Sequence, residues 1–468
     1  MKLLEKIIEY GLYLFIFLLP WQTRWMWHLG ELNKEYWEYG TMSLYMTDIV
    51  LIGLLVLGIV WYFKETRYKV QDMRNKIRKM SNIWYLISGI LLISFLSIYW
   101  APQKSLGLYA SFKLLEGIGL FVLVSKIKFN WLKLAWLFVG SATLQSILAI
   151  WQFSRQSVFS SKWLGMAAQS PEILGASVVE NSFGRWLRAY GSLPHPNILA
   201  GFLVIGLLIL IGLFLNHELR IPVPERVRYR ASKNHEFKNK FFNNLIVKQF
   251  IIFVCYALLL SALFFTFSRG AWIGFLFGFL GLLFFGFKKN LRVSQLASLL
   301  AVTLITIIVL SSIFWPILST RLMGAERLEI KSTEERITSY KEAAVLIKRD
   351  WHKGVGIGNY TLGIHNQVNP HLRSWAYQPV HNVYLLVFAE LGIVGLIVWL
   401  LLIGTVFYRI IRFRVSEIRY KSWFFVFSSI LGSIFVIFFF DHYFWTLHFG
   451  IMLFWLCLGL WSKQVSLL

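Results

Sequence analysis

Long apolar runs, separated by short polar or basic stretches, dominate the chain. They lie near 6–21, 45–63, 83–100, 107–125, 132–153, 197–215, 249–267, 271–287, 295–315, 383–405, 422–440 and 446–461. Each approaches the roughly 17–25 residues that an α-helix needs to cross ~30 Å of hydrocarbon. The pattern predicts an all-α polytopic membrane protein of about twelve transmembrane helices, with 1–468 forming a single integral membrane domain. Between the runs, three loops on one face stand out: 22–44, 154–196 and 316–382. The last is the largest, an extracytoplasmic loop between spans nine and ten. Within it, Ser332, Thr333, Glu334 and Glu335 have capping-box spacing. Ile337, Tyr340, Ala344, Ile347 and Trp351 then recur every three to four residues, which predicts an amphipathic helix at 333–350 outside the membrane. The glycines of Gly354-Val355-Gly356-Ile357-Gly358 would let backbone N–H groups approach a ligand. With no strand before them, a flexible turn after the helix is the plainer reading.

Composition supports the membrane assignment. Apolar residues make up 57% of the chain and charged residues 15%, against roughly 45–50% and about 25% in soluble domains. That excludes a soluble enzyme, a disordered tail and a fibre. The net charge of +24 would suggest nucleic acid if the charges were spread evenly. They are not. With the N-terminus inside, the inner connections and chain ends hold 28 of the 47 Lys and Arg but 7 of the 23 acids. The bias predicts both termini in the cytoplasm and needs no nucleic acid partner. The first span lacks a small-x-small cleavage signal, so it reads as retained. Cys255 and Cys457 fall inside apolar runs, which favours neither a disulfide nor a metal site.

Several polar residues at the outer ends of spans carry candidate chemistry. His381, just before the tenth run, has a ring that could accept a proton from a hydroxyl, although a lone interfacial His is commonly a plain hydrogen-bonding residue. Arg269 sits in the tight turn Thr266-Phe267-Ser268-Arg269-Gly270; it reads equally as a lipid headgroup anchor or a bidentate phosphate clamp. Arg188 and His195 are possible ligand contacts, while Pro196 and Asn197 suit a helix start. Lys113 and Glu116, three apart, would neutralise each other on one helix face. Glu390 lies on the face opposite His381 and reads as an interhelical hydrogen-bonding residue. Asp441 opens the last outer turn, either as pocket lining or as a solvated turn.

Taken in order, these pieces resemble the O-antigen ligase and polymerase superfamily of polytopic membrane glycosyltransferases. His381-Asn382 is followed, after nine intervening residues, by Gly392 and then by Gly395, a spacing characteristic of that family. Ser268-Arg269-Gly270 is similar to its Ser-Arg-Gly turn. Arg336 before Gly354-Val355-Gly356 is similar to its loop-helix arginine, and the 188–200 segment also looks like the family pattern.

The resemblance implies an undecaprenyl-diphosphate-linked glycan donor and transfer to an acceptor hydroxyl at the outer face of the bacterial cytoplasmic membrane. His381 would be the catalytic base, with Arg269, Arg336 and Arg188 holding the diphosphate. His195, Asn197, Asn382 and Asp441 would line the pocket. It implies inversion in a single displacement, with no metal and no cofactor. The acceptor could be a lipid, another glycan or a protein, so a surface-polysaccharide polymerase and a protein O-oligosaccharyltransferase are close alternatives. A transporter or flippase of lipid-linked sugars is a more distant one. The helix at 333–350 would close over the donor.

Overall fold

The computed structural model describes residues 2–66, 83–215, 235–288, 293–412 and 422–466. The basic connections at 67–82, 216–234, 289–292 and 413–421, on which much of the inside-positive assignment rests, lie outside these residues. The described chain is mostly helical. Its order is α1 (Lys2–Leu18), α2 (Met46–Thr66), α3 (Ile83–Ser97), α4 (Lys104–Lys126), α5 (Trp131–Arg155), α6 (Pro196–Leu215), α7 (His235–Phe265), α8 (Arg269–Lys288) and α9 (Val293–Ile313). There follow α10 (Trp315–Met323), α11 (Arg327–Asp350), α12 (Tyr360–Gln367), α13 (Val383–Arg412), α14 (Ser422–Ile437), α15 (Tyr443–Thr446) and α16 (His448–Ser466). The apolar pattern does not foretell three small antiparallel hairpins. Arg24–His28 pairs with Met42–Tyr45, Glu31–Leu32 with Glu35–Tyr36, and Val178–Asn181 with Gly184–Leu187.

Six helices among the described residues are long and apolar enough to cross a membrane, and four more apolar helices are shorter. How they are buried separates two environments. Helix α6 is apolar all round and 94% of its 18-residue window is buried, as expected of a helix with neighbours on every side. It packs against α5, α7, α8 and α14. Helix α9 is comparably apolar, yet only 17% of its window is buried. Leu304, Ile305, Ile308 and Val309 are exposed, a continuous apolar face that lipid rather than water would cover.

The segment after α9 is largely helical. Helix α11 begins at Arg327, earlier than the capping-box spacing suggests, because residues of its first turn are drawn into ion pairs: Arg327 with Glu180, and Glu329 with Arg321. Its buried positions are Glu329, Ala343 and Leu346, while Ile337, Ala344 and Trp351 are exposed. The inward stripe therefore lies one position away from the expected one, since α11 packs on both α12 and α13.

The glycine stretch is neither a loose turn nor a phosphate cradle. The N–H groups of Val355 and Gly356 donate to the carbonyls of Ala389 and Glu390, both at 2.9 Å. Gly354, at φ +70°, sits so close to α13 that a Cβ would lie 2.4 Å from the Glu390 carbonyl. The reciprocal contact is at Gly392, where α13 kinks at φ 67°, ψ −169°. A Cβ there would lie 2.5 Å from the His352 carbonyl oxygen, and Ile393 N donates to Trp351 O at 2.8 Å. Helix α11 is thus held at both ends, which opposes its swinging as a hinged lid.

Gly392→Ala should therefore destabilise the protein by more than ~1 kcal/mol, because both its φ and its neighbours exclude a side chain. Gly404→Ala, on the same helix with nothing within 4 Å of the added Cβ, should be neutral or mildly stabilising. Thermal unfolding of the two variants in detergent checks this, and equal midpoints would contradict it.

Candidate functional site

Helix starts and the turns beside them bring the polar residues together. Pro196, whose missing N–H suits the first helical position, opens α6. Thr266–Ser268 turns the chain from α7 into α8, with Phe267 in the left-handed region at φ 47°, so that Arg269 becomes the first residue of α8. Asn382 precedes α13 and its Oδ1 accepts from Leu385 N at 3.1 Å. That makes Asn382 an N-cap of α13.

Asp441 is the meeting point. Its Oδ2 accepts from Asn197 Nδ2 at 2.8 Å and its Oδ1 from the backbone N–H of His442 at 2.9 Å. The Nδ1 of His381 lies 3.7 Å from the same Oδ1, and this nitrogen is buried with no hydrogen-bond partner. Behind Asn197 stands Arg188, which is not on the cavity wall. Arg188 is buried, donating from Nε to Thr266 O and from a terminal nitrogen to Asn197 Oδ1, each at 2.6 Å. Its guanidinium is therefore committed to protein acceptors and positions Asn197. Burial, followed by the nearby Arg321, pulls its pKa well below the ordinary guanidinium value.

His195 is committed as well. Its Nδ1 accepts the N–H of Asn197 at 3.1 Å, which leaves Nε2–H to donate to Ser177 Oγ at 2.8 Å. Burial first, and Arg188 next, push its pKa down to about 3. His442, which sequence reasoning passed over, has its ring centroid 5.1 Å from that of His381, and burial likewise lowers its pKa to about 3. Burial would by itself raise the pKa of Asp441. His381, His442 and His195 outweigh that effect and hold the carboxyl well below the usual range.

Beside this group lies a cavity of about 270 Å³ lined by Asn197, Arg269, Arg321, Arg336, Asp441 and Tyr443, among others. Arg269 donates to Arg321 O at 3.2 Å and lies 3.4 Å from Glu329. Arg321 donates from Nε to Phe267 O at 2.9 Å and pairs with the buried Glu329 at 2.5 Å. The guanidinium of Arg336 has no hydrogen bond or ion pair among the described residues. Arg321 was legible only as one of several loop arginines, and Glu329, which braces two of them, gave no signal beyond its place in α11.

Among the described residues, two clusters hold metal-ligand atoms within 4.8 Å of one another: His381, Asp441 and His442; and Asp48, Glu116 and His448. The positive field of the arginines works against a cation in the first. In the second, Lys113 already supplies one, pairing with Asp48 at 2.5 Å and Glu116 at 3.1 Å. Glu390 accepts from Trp445 Nε1 at 2.7 Å, the interhelical role read from the sequence.

Residues 254–400 match the family model described as O-antigen ligase. This stretch is similar to the O-antigen ligase family. The matched segment contains Arg269, Arg321, Arg336, His381 and Gly392, whereas Arg188, His195, Asn197 and Asp441 lie outside it. No curated protein matches the chain. The similarity suggests a glycosyltransferase of the ligase or polymerase type, and with the apolar helices it suggests an integral membrane protein.

The depressed histidines give stability a pH dependence. Between about pH 6.5 and pH 3, the unfolded chain binds protons that folded His195 and His442 refuse, so stability falls as pH falls through that window. Asp441 adds a loss at the acid end, where its carboxylate must be protonated on unfolding. The unfolding midpoint should therefore drop between pH 7 and pH 5, and less steeply in His195→Gln. An unchanged slope in that variant would remove His195 from the account.

Proposed function

We propose that the protein transfers a glycan from undecaprenyl diphosphate to an acceptor hydroxyl at the outer face of the bacterial cytoplasmic membrane. In this reading all twelve apolar runs cross the bilayer and both termini are cytoplasmic. The convergence of Arg269, Arg321 and Arg336 on one cavity that also reaches Asp441, the partner of His381, carries the proposal.

Charge supports it. The three guanidiniums less the Glu329 carboxylate leave two positive charges, which match the two negative charges of a sugar diphosphate diester. Guanidiniums bind phosphate oxygens bidentately. Gly270 and Ala271, in the first turn of α8, line the same cavity, where backbone N–H groups lack intrahelical partners and the helix dipole favours an anion.

The chemistry is a single displacement. The acceptor oxygen bonds to the anomeric carbon while the bond from that carbon to the diphosphate oxygen breaks. The electron pair leaves on the diphosphate, where the arginines stabilise it. The hydroxyl proton passes to Nε2 of His381, the nitrogen turned away from Asp441, and the Asp441 carboxylate stabilises the imidazolium. Asn197 and Arg188 keep that carboxylate in place. The anomeric configuration inverts, and no metal or cofactor enters the steps.

Donor turnover in nanodiscs with chelator present, using a polyprenyl-diphosphate glycan and a pool of lipid, glycan and peptide acceptors, tests the proposal. His381→Ala should lower turnover by roughly 10²–10⁴-fold while the donor still binds, and Arg321→Ala should weaken donor binding. A single addition to a lipid core denotes a ligase, a ladder a polymerase, and a glycosylated peptide an oligosaccharyltransferase. Variants as active as wild type, or a donor that crosses the bilayer intact, would contradict transfer and favour a transporter.

A further inference from the structure

A second cavity, which the transfer steps above leave unused, lies near the segment that carries His381. It has a volume of about 110 Å³ and lies across the 441–448 segment from the arginine cavity. Asp441 and Tyr443 face the arginines, whereas Phe444, Trp445, Thr446 and His448 line the second cavity. Three observations place it next to the base. Pro379, two residues before His381, is part of its wall. The ring of Tyr39, also on the wall, lies 5.9 Å from the His442 ring, which in turn is 5.1 Å from that of His381. Finally, the Nδ1 of His442 bonds to Thr446 Oγ1 at 2.8 Å.

Leu106, Leu114, Ile451 and Phe454 give the cavity an apolar side, and the rest of its lining sets ring faces beside charged groups. Tyr39, Tyr45 and Tyr109 share the wall with Lys113 and with the Arg24–Glu38 pair, whose members are 2.7 Å apart. Among the described residues, three buried polar atoms of wall residues have no hydrogen-bond partner: the hydroxyl of Tyr360, the Nε1 of Trp399 and the Nδ1 of His448. The last lies 3.1 Å from Asp48 Oδ1, which leaves the first two with no charged neighbour of this kind. Unpartnered buried donors are costly, so two of them on residues of one cavity wall point to a ligand rich in acceptor oxygens. Aromatic faces next to charged hydrogen-bonding groups suit a sugar ring, which has apolar C–H faces and a polar rim. They do not suit a polyprenyl chain, which would leave the ion pair and both donors unsatisfied.

We propose that this cavity is the acceptor subsite and binds the sugar whose hydroxyl is glycosylated. The assignment rests on the transfer reading. In a single displacement the nucleophile enters opposite the leaving group. With the diphosphate among the arginines, the hydroxyl arrives from the other side of the 441–448 segment, where this cavity lies. Tyr39 and Tyr360 then act as positioning residues for the acceptor.

The test uses the full chain in nanodiscs and diazirine-bearing hexyl glycosides of glucose, galactose, N-acetylglucosamine and heptose, each competed by its methyl glycoside. At least one probe should cross-link, competably, to peptides spanning 39–45, 106–113 or 357–361. Tyr360→Phe removes only an unpartnered hydroxyl, so it should leave the unfolding midpoint unchanged or raised. It should raise the half-saturating concentration of that probe roughly fivefold, the loss of one hydrogen bond, and leave that of the donor unchanged. Tyr39→Leu, which removes a ring face, should do the same if Tyr360→Phe fails to express. Labelling of these peptides by a diazirine on the donor's own sugar, or an unchanged half-saturation in both variants, would overturn the subsite. Because labelling needs no turnover, the two readings can fail separately. Turnover without competable labelling overturns the subsite alone. Competable labelling without donor turnover overturns the transfer reading and upholds glycan binding here.

Discussion

One buried carboxylate holds one end of the bundle together. Asp441 joins the start of α6, through Asn197, to the turn after α14 and to the ring of His381. A carboxylate taken out of water is tolerated only with several partners, and here both oxygens are occupied by N–H donors. The partners are themselves fixed. Arg188 holds Asn197 while bonding to the end of α7, and His195 caps the same turn of α6. The geometry around His381 is therefore set by groups whose removal would strand a buried charge, and this fixes the imidazole ring in place.

The rest of the molecule places that end of the bundle where a lipid-linked substrate can reach it. The buried α6 fixes the starts of its neighbours, while the exposed apolar faces of helices such as α9 suit hydrocarbon. Charged groups on such faces would be expensive. The arginines gather instead at the helix ends, where Glu329 and backbone carbonyls brace Arg269 and Arg321. In the transfer reading, the polyprenyl tail stays in lipid while the diphosphate meets this braced group. The two cavities on either side of the 441–448 segment then separate leaving group from nucleophile.

Helical architecture was legible because apolar runs of span length leave few alternatives, although helix length supports six crossings more firmly than all twelve. Arg269, Asn197 and Asp441 could be singled out because each stands at the polar end of an apolar run, and Arg336 through its place before the glycine stretch. Their meeting on one cavity depends on packing between helices far apart in sequence, which no local pattern records. Arg188, His195 and Asn382 illustrate the limit. Each has the right chemistry for a ligand contact, yet each is spent on a protein acceptor or a helix cap. The glycines at 354–358 were legible as permissive backbone. Their purpose, a close approach to the kink at Gly392, required the partner helix to be seen. Arg321 and His442 were obscured by neighbours of the same type or in the same motif.

An experimental structure of the protein with undecaprenyl diphosphate bound would test the central claim most directly. The account predicts the diphosphate within hydrogen-bonding distance of at least two of Arg269, Arg321 and Arg336, with its sugar-bearing oxygen directed toward His381. A diphosphate seated elsewhere, with these three arginines still facing an empty cavity, would contradict it.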